Sequence, residues 1–531
     1  AERMRMVCQA WSLQGYGTPP GIYLIYAVKI ALIYLGGWCF FVSFTPGLGA
    51  PGAIASWAFV PIAFQKAVLW TLAYEGLGLG CASGPLTGRY VPPIGGALYF
   101  LRPGTTKMPF FPGLPIFGGT RRTVLDVALY AAHYAFLFRA LVAPEMVPAL
   151  LYPTVVLLPL LGLSDKTIYL SARAEHHFTA LVCFAFAPAW IAPVMVVWIA
   201  IWWWAATSKL NRHFPNVVCV MLSNSPFVPA RVRKHLYRDH PNDLRPARGV
   251  ALMAHLGTLT EYSFPLLLLL GDGGPLTAVA LFVMLGFHTF ITANMPMGVP
   301  LEWNLIMVYG GFFLFGMNAD VPLLADLASA PPALLAFLAL QLLAIPLIGN
   351  LIPSRVSFLS AMRYYAGNWA YSVWLFRGDS AKKLDKLTKV SAGLRAQLER
   401  MVDDADLIDG VLSRVPGFRL MHLHGRVLHA LLPKAVDDID AYEWIDGEVV
   451  AGIVLGWNFG DGHLHDVRLL QAIQGTCGFE PGELRIITVE SQPMGGRSHA
   501  WTIADAATGV LEQGETEVEP LTELQPWPAP G

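Results

Sequence analysis

Long apolar runs constrain this chain more than any other feature. A bilayer span needs roughly 20 consecutive apolar residues. Ten segments meet or approach that length: 21–43, 55–80, 124–142, 147–163, 167–187, 191–207, 249–271, 275–295, 301–317 and 332–352. In lipid the backbone must satisfy its own hydrogen bonds, so such runs become helices. Composition agrees: 55% of the 531 residues are hydrophobic and 14% are charged, whereas soluble domains run nearer 25% charged. The reading is an all-α polytopic membrane protein with about ten transmembrane helices, followed by a small α+β C-terminal domain.

Basic residues set the orientation. The connections 44–54, 143–146, 188–190, 272–274 and 318–331 contain no Lys or Arg. The alternate connections carry Arg3, Arg5, Arg89, Arg102, Lys107, Arg121, Arg122, Lys166 and the dense stretch from Lys209 to Arg248, and Arg355, Arg363 and Arg377 follow the last span. By the positive-inside rule both termini are expected in the cytoplasm, with the chain in the inner (plasma) membrane. Residues 1–18 are mixed and polar, and no cleavable signal peptide is expected.

Charge and spacing exclude several classes. The formal net charge is −1, which gives no footprint for nucleic acid. The six cysteines form no CxxC, so neither a disulfide framework nor a zinc site is read from them. No phosphate-binding Gly-rich loop or nucleophile elbow is present. The His-rich stretches 175–177 and 235–240 are too few for a di-iron membrane oxidase. His422 with His424, and His463 with His465, sit two apart on a possible strand. Such pairs can bind zinc, although exposed strand histidines are commoner, and no metal is expected.

Domain organisation follows the composition. Residues 1–378 are read as the membrane domain and 379–531 as a soluble domain. Residues 379–415 read as helical and charged. Between 417 and 516, YEWIDGEVVAGIVLG, ELRIITVE and SHAWTIAD alternate like strands. The tail LTELQPWPAPG is expected to be disordered. The Gly/Pro-rich loop 81–123 is long for a connector and is expected to cap a cavity or re-enter the membrane.

Ionisable residues inside spans are costly and are functional candidates by default. They are Lys29, Lys66, Glu75, Asp126, His133, Arg139, Glu175, His176, His177, His255, Glu261 and His288. The bland alternative is structural pairing or snorkelling to an interface. As a set they are expected to cluster inside the bundle. His255 and Glu261, six apart on one helix, are expected to share a sector. Lys209 follows the aromatic run IWWWAATS at the inner end of its span, as an anchor or a buried base.

Four stretches, in order, resemble the HTTM membrane domain, the family of the vitamin K-dependent gamma-glutamyl carboxylase: EHHFTALVCFAF (175–186), SKLNRHFPNVVCVMLSNSPF (208–227), HLGTLTEYSFPLLLL (255–269) and FHTFITANMPMGVPLEWNLIM (287–307). They cover roughly 165–310. The whole chain also resembles a large actinobacterial transmembrane family. The HTTM resemblance implies a pocket for a quinol, of menaquinone type, or another long lipid. Lys209 would deprotonate the quinol and His177 would stabilise a carbanion, with His255 and Glu261 supporting. His288, Trp204 and Asn304 would contact the cofactor. The carboxylase's large lumenal domain has no counterpart here, so carboxylation of protein glutamates is not implied. The alternatives are a lipid-binding or lipid-transport protein and a structural subunit of a membrane complex. The expected partners are membrane lipids and a protein docking on the C-terminal domain.

Overall fold

The computed structural model describes residues 1–80, 89, 93–294, 301–456 and 461–529. Cys81, most of 81–92, and residues 295–300 of the fourth HTTM-like stretch lie outside the described residues. The chain opens with α1 (Glu2–Gln14). The apolar segments that follow are α2 (Pro20–Val42), α3 (Pro61–Gly76), α4 (Val124–Val142), α5 (Pro148–Ser164), α6 (Thr179–Phe186), α7 (Ile191–Ser208), α8 (Phe214–Asn224), α9 (Arg248–Leu270), α10 (Pro275–Asn294), α11 (Leu301–Met317) and α12 (Pro332–Leu351).

The expected count of ten spans is not reproduced. Among the described residues, five helices (α2, α4, α7, α10 and α12) are long and apolar enough to cross a membrane. A sixth follows if α3 and the preceding Pro51–Trp57, bent by 117°, form one broken span. The physical reasons differ by segment. The stretch 167–187 breaks at Arg173, whose backbone is left-handed (φ 52°), and continues through a wide turn, Ala174–Phe178. α9 has the length, but His255, Glu261 and the hydroxyls of Thr258, Thr260 and Ser263 dilute its apolar character.

Charged residues within the bundle find partners. Lys29 Nζ lies 2.5 Å from Glu302, and Lys107 2.7 Å from Asp126, both pairs buried. Lys66 donates to the Phe41 carbonyl at 2.8 Å. Arg139 instead sits exposed near the end of α4, as a snorkelling residue does.

A hairpin of β1 (Tyr237–Asp239) and β2 (Asp243–Pro246) precedes α9. The C-terminal region is built on β3 (Tyr371–Arg377), α13 (Ala405–Met421), β4 (Tyr442–Asp446), α14 (Gly447–Val454), α15 (Val467–Cys477), β5 (Leu484–Val489), β6 (Ser498–Asp505) and β7 (Gly509–Glu517). The strands form one antiparallel sheet in the order β4-β3-β5-β6-β7. β3, with the sequence YSVWLFR, is the near-continuous apolar run of a strand covered on both faces. Trp374 and Phe376 pack into the core shared with the membrane helices. Tyr371, Val373 and Leu375 point the other way, toward a core shared with α1 and α8. The sheet is thus tied to the bundle on both faces, and its first strand starts before the compositional boundary at 379.

Several local expectations need correction. GEVVAGIVLG is not a strand beyond Asp446: the Asp446 carboxylate accepts from Glu448 N and caps α14. Residues 379–415 are only partly helical, with a 3-10 turn at Ser380–Lys386, a short helix at Leu394–Leu398 and the start of α13. The histidine pairs stand on 3-10 turns, His424–Val427 and Gly462–Leu464, or beside them. The tail is ordered through 529: Trp527 is buried, Gln525 Oε1 accepts from Leu244 N, and the Pro526 carbonyl accepts from Cys8 and His429. The described part of the 81–123 loop packs on the C-terminal region, where Tyr99 donates to the Val454 carbonyl (2.6 Å) and Arg89 to that of Gly456 (3.0 Å).

Candidate functional site

The inner end of α7 organises the site. The helix closes at Ser208 and places Lys209 at its C-cap. Asn211 then makes the turn. Its Oδ1 accepts from His213 N and Phe214 N, which caps α8, while its Nδ2 donates to the Ser208 carbonyl at 2.5 Å. A side-chain oxygen satisfying the open N–H groups of a helix start is ordinary capping chemistry. The Lys-Leu-Asn sequence therefore has a local reason: lysine facing inward, asparagine folding the chain back.

Lys209 meets Glu261 of α9. Nζ lies 2.7 Å from Oε1 and 2.5 Å from Oε2, and the side chains are 8% and 4% exposed. The ammonium also stands over the rings of Phe214 (5.8 Å) and Phe287 (5.9 Å), a favourable placement for a desolvated cation. The pair lies in the wall of a cavity of about 330 Å³ bounded by α7, α8, α9, α10, α11 and Tyr364–Tyr365. Most of the lining is apolar. Exposed Leu256 of α9 and Phe290 of α10 stand at its edge, so it opens sideways between these helices.

His288 and Asn304 form a second polar element in this wall. Trp202 Nε1 donates to His288 Nε2 at 3.0 Å, and His288 Nδ1 lies 2.8 Å from Asn304 Oδ1. An indole N–H only donates, so Nε2 accepts and Nδ1–H donates to Asn304. The imidazole is thereby held as one neutral tautomer. Arg173 closes the far side, with Nε 2.9 Å from Glu175 and its guanidinium over Trp303 and Tyr364.

Four of the expected residues therefore converge: Lys209, Glu261, His288 and Asn304. The others do not. His255 is exposed and absent from the lining. Six residues at ~100° each stop ~120° short of two full turns, so His255 and Glu261 occupy different faces. His177 is buried in the wide turn against His176, their rings 4.3 Å apart, and His176 packs on Trp198. Trp198 precedes Lys209 by about three turns, roughly 16 Å of rise. All four nitrogens of these two imidazoles are buried without a hydrogen-bond partner. Trp204 points away and donates to the Leu342 carbonyl at 2.7 Å. The indole that serves the site is Trp202, two turns before Lys209 and hence on its face, a spacing legible in the sequence. Phe214, Phe287 and Tyr364 carried no comparable signal. No cluster of three or more His, Cys, Asp or Glu able to hold a metal ion occurs among the described residues.

A model of the family DUF3556, described as a transmembrane protein of unknown function, matches residues 1–531. No curated protein and no solved structure matches the chain.

Proposed function

The chain belongs to the DUF3556 family of transmembrane proteins, and we propose that it binds a lipid-soluble molecule in the cavity beside Lys209. One observation carries this reading: a largely apolar cavity, edged by exposed apolar residues of α9 and α10, has a buried ammonium–carboxylate pair in its wall. Apolar pockets with a few placed polar groups are the usual form of small-molecule sites. The tail of an isoprenoid or acyl compound would lie against Met253, Leu256 and Phe290. Its polar head would meet Lys209 and Glu261.

A second reading, an enzyme of HTTM type acting with a quinol, is favoured by the convergence of Lys209, Glu261, His288 and Asn304 on one cavity. A quinol would supply acidic hydroxyls and redox chemistry. On the protein side, the Lys209 ammonium keeps Glu261 oriented, a hydroxyl proton passes to the Glu261 carboxylate, and His288 offers a fixed imidazole beside Asn304. His177 and His255 stand outside the lining and take no part in this reading. The basic-residue bias supports a plasma-membrane protein with cytoplasmic termini, whose C-terminal α+β region is available to a soluble partner.

The test is mass spectrometry of lipids extracted from protein purified in mild detergent, for wild type, Lys209→Met and Glu261→Gln. Binding predicts a near-stoichiometric lipid in wild type that is depleted in both variants. The same lipid set in all three would refute the site. A quinone among the depleted species would favour the enzyme reading.

A further inference from the structure

A second cavity, of about 220 Å³, lies on the other side of the Lys209 turn. Its character is opposite to the first: it is lined by Ser208, Asn211, Arg212, Arg363, Asn368 and the loop Gln492–Gly496, with no Asp or Glu in the lining. Ser208 ends α7, and Asn350, also in the wall, lies at the end of α12. The cavity therefore stands at the depth where two spanning helices finish, the level of lipid headgroups.

Arg363 is the centre of the argument. It is 4% exposed, and among the described residues no carboxylate lies within 4.0 Å of it. Among the described residues one bond holds the guanidinium, from Nη2 to the Asn368 carbonyl at 2.6 Å, out of the five donors an arginine carries. Burial pulls its pKa down to about 10, which leaves it charged at neutral pH. Glu490 is the acidic group whose charge reaches it, but that carboxylate is engaged by His463 at 2.8 Å. A buried charge is costly without a counter-charge, so a cation left in a polar cavity points to an anion from outside the chain.

The surrounding amides are committed to building the cavity. Asn368 exchanges two bonds with Gln492 (2.8 and 2.7 Å), Gln492 Nε2 donates to the Gly496 carbonyl (2.8 Å), and Met494 N donates to the Asn350 backbone carbonyl at 2.8 Å. The loop is thus pinned while Arg363 keeps donors to spare. On the rim, Arg212 is 56% exposed and pairs with the still more exposed Glu519, a surface pair of little strength that can yield to a ligand.

We propose that this cavity binds a phosphate group, held by the Arg363 guanidinium with Arg212 at the rim, as an anionic phospholipid headgroup or as a free phosphorylated compound. Guanidinium groups match phosphate oxygens in bidentate geometry. The site does not depend on the occupant of the Lys209 cavity.

The test uses the full chain in nanodiscs. Inorganic phosphate is titrated by calorimetry in discs of phosphatidylcholine alone. Retention of phosphatidylglycerol is read by native mass spectrometry in discs containing both lipids. The variants are Arg363→Gln, Arg212→Gln and Gly495→Asp. Gly495 is left-handed (φ 75°) and its Cβ position is open; aspartate tolerates that backbone and would set a carboxylate beside the cavity. Expected is at least tenfold weaker binding in Arg363→Gln and Gly495→Asp, and a few-fold loss in Arg212→Gln. Loss in the phosphate arm identifies a free phosphate; loss in the lipid arm alone identifies a headgroup. Wild-type behaviour of Gly495→Asp in both arms would overturn the proposal, even if Arg363→Gln failed to fold.

Discussion

Replacing Lys209 with methionine should destabilise the protein by an amount that pH controls. The substitution keeps the side chain's length and removes the charge that faces Glu261, leaving a carboxylate that is 4% exposed. Breaking a buried pair by removing one partner costs about 3–5 kcal/mol. Protonation caps that cost. A carboxyl that titrates near ~4.3 in the unfolded chain requires about 4 kcal/mol to be neutral in the fold at pH 7, and ~1.4 kcal/mol less for each pH unit removed. Lys209→Met should therefore lose about 4 kcal/mol at pH 7 and about 1 kcal/mol at pH 5. Glu261→Gln strands the ammonium instead, and its penalty should grow as pH falls. The double variant removes both charges and should return to within about 1 kcal/mol of wild type. The assay is reversible unfolding in mixed detergent micelles, followed by tryptophan fluorescence. A loss below ~1 kcal/mol in Lys209→Met at pH 7, with no pH dependence, would mean that the pair is solvated and the cavity reading is wrong.

Three further outcomes are expected. Arg419, buried and paired with Asp446 (2.9 Å) and Glu448 (3.2 Å), should cost about 3–5 kcal/mol as Arg419→Met, read by thermal melting of the purified chain. His463 is opposed by burial, yet Glu490 at 2.8 Å raises its pKa above 6.5; burial likewise opposes the Glu490 carboxylate, which His463 lowers below 4.5. Their mutual stabilisation should be present between those two values, fading as pH rises through the raised histidine pKa and as pH falls through the depressed glutamate pKa. Melting of wild type and Glu490→Gln across pH checks this, and parallel curves would contradict it. Deleting residues 525–531 removes the buried Trp527 ring and the bonds of Gln525 and Pro526, and should cost about 2–3 kcal/mol, seen as faster proteolysis near α1; unchanged proteolysis would contradict the ordered tail.

What the sequence revealed depended on the range of the interaction. Glu261 and Lys29 stand out because a charge in an apolar run is anomalous by itself, whereas Lys209, at the end of its span, draws notice through the HTTM resemblance, and Glu302, the partner of Lys29, carries no signal of its own. The tally of spans was less legible, since the bias of Lys and Arg sets orientation but cannot detect a break such as that at Arg173. Helical phase turns His255 away from Glu261, and two turns before Lys209 it is Trp202, not Trp204, that shares its face. GEVVAGIVLG read as a strand because its β-branched residues alternate, while the deciding signal was the single Asp446 cap. The Arg363 cavity gave no sequence signal, because its wall joins the end of α7, the segment after α12 and the loop before β6. Only the tertiary fold brings these together.

The cavity beside Lys209 can be blocked without touching the charged pair. Gly257 faces it from α9, one turn before Glu261, and an added Cβ there meets nothing within 4 Å. Native mass spectrometry of wild type and Gly257→Phe released from nanodiscs is the most direct measurement. The account predicts a one-to-one lipid-soluble adduct on wild type that disappears from the variant while the fold is kept. An equal adduct on both, or none on wild type, would contradict it.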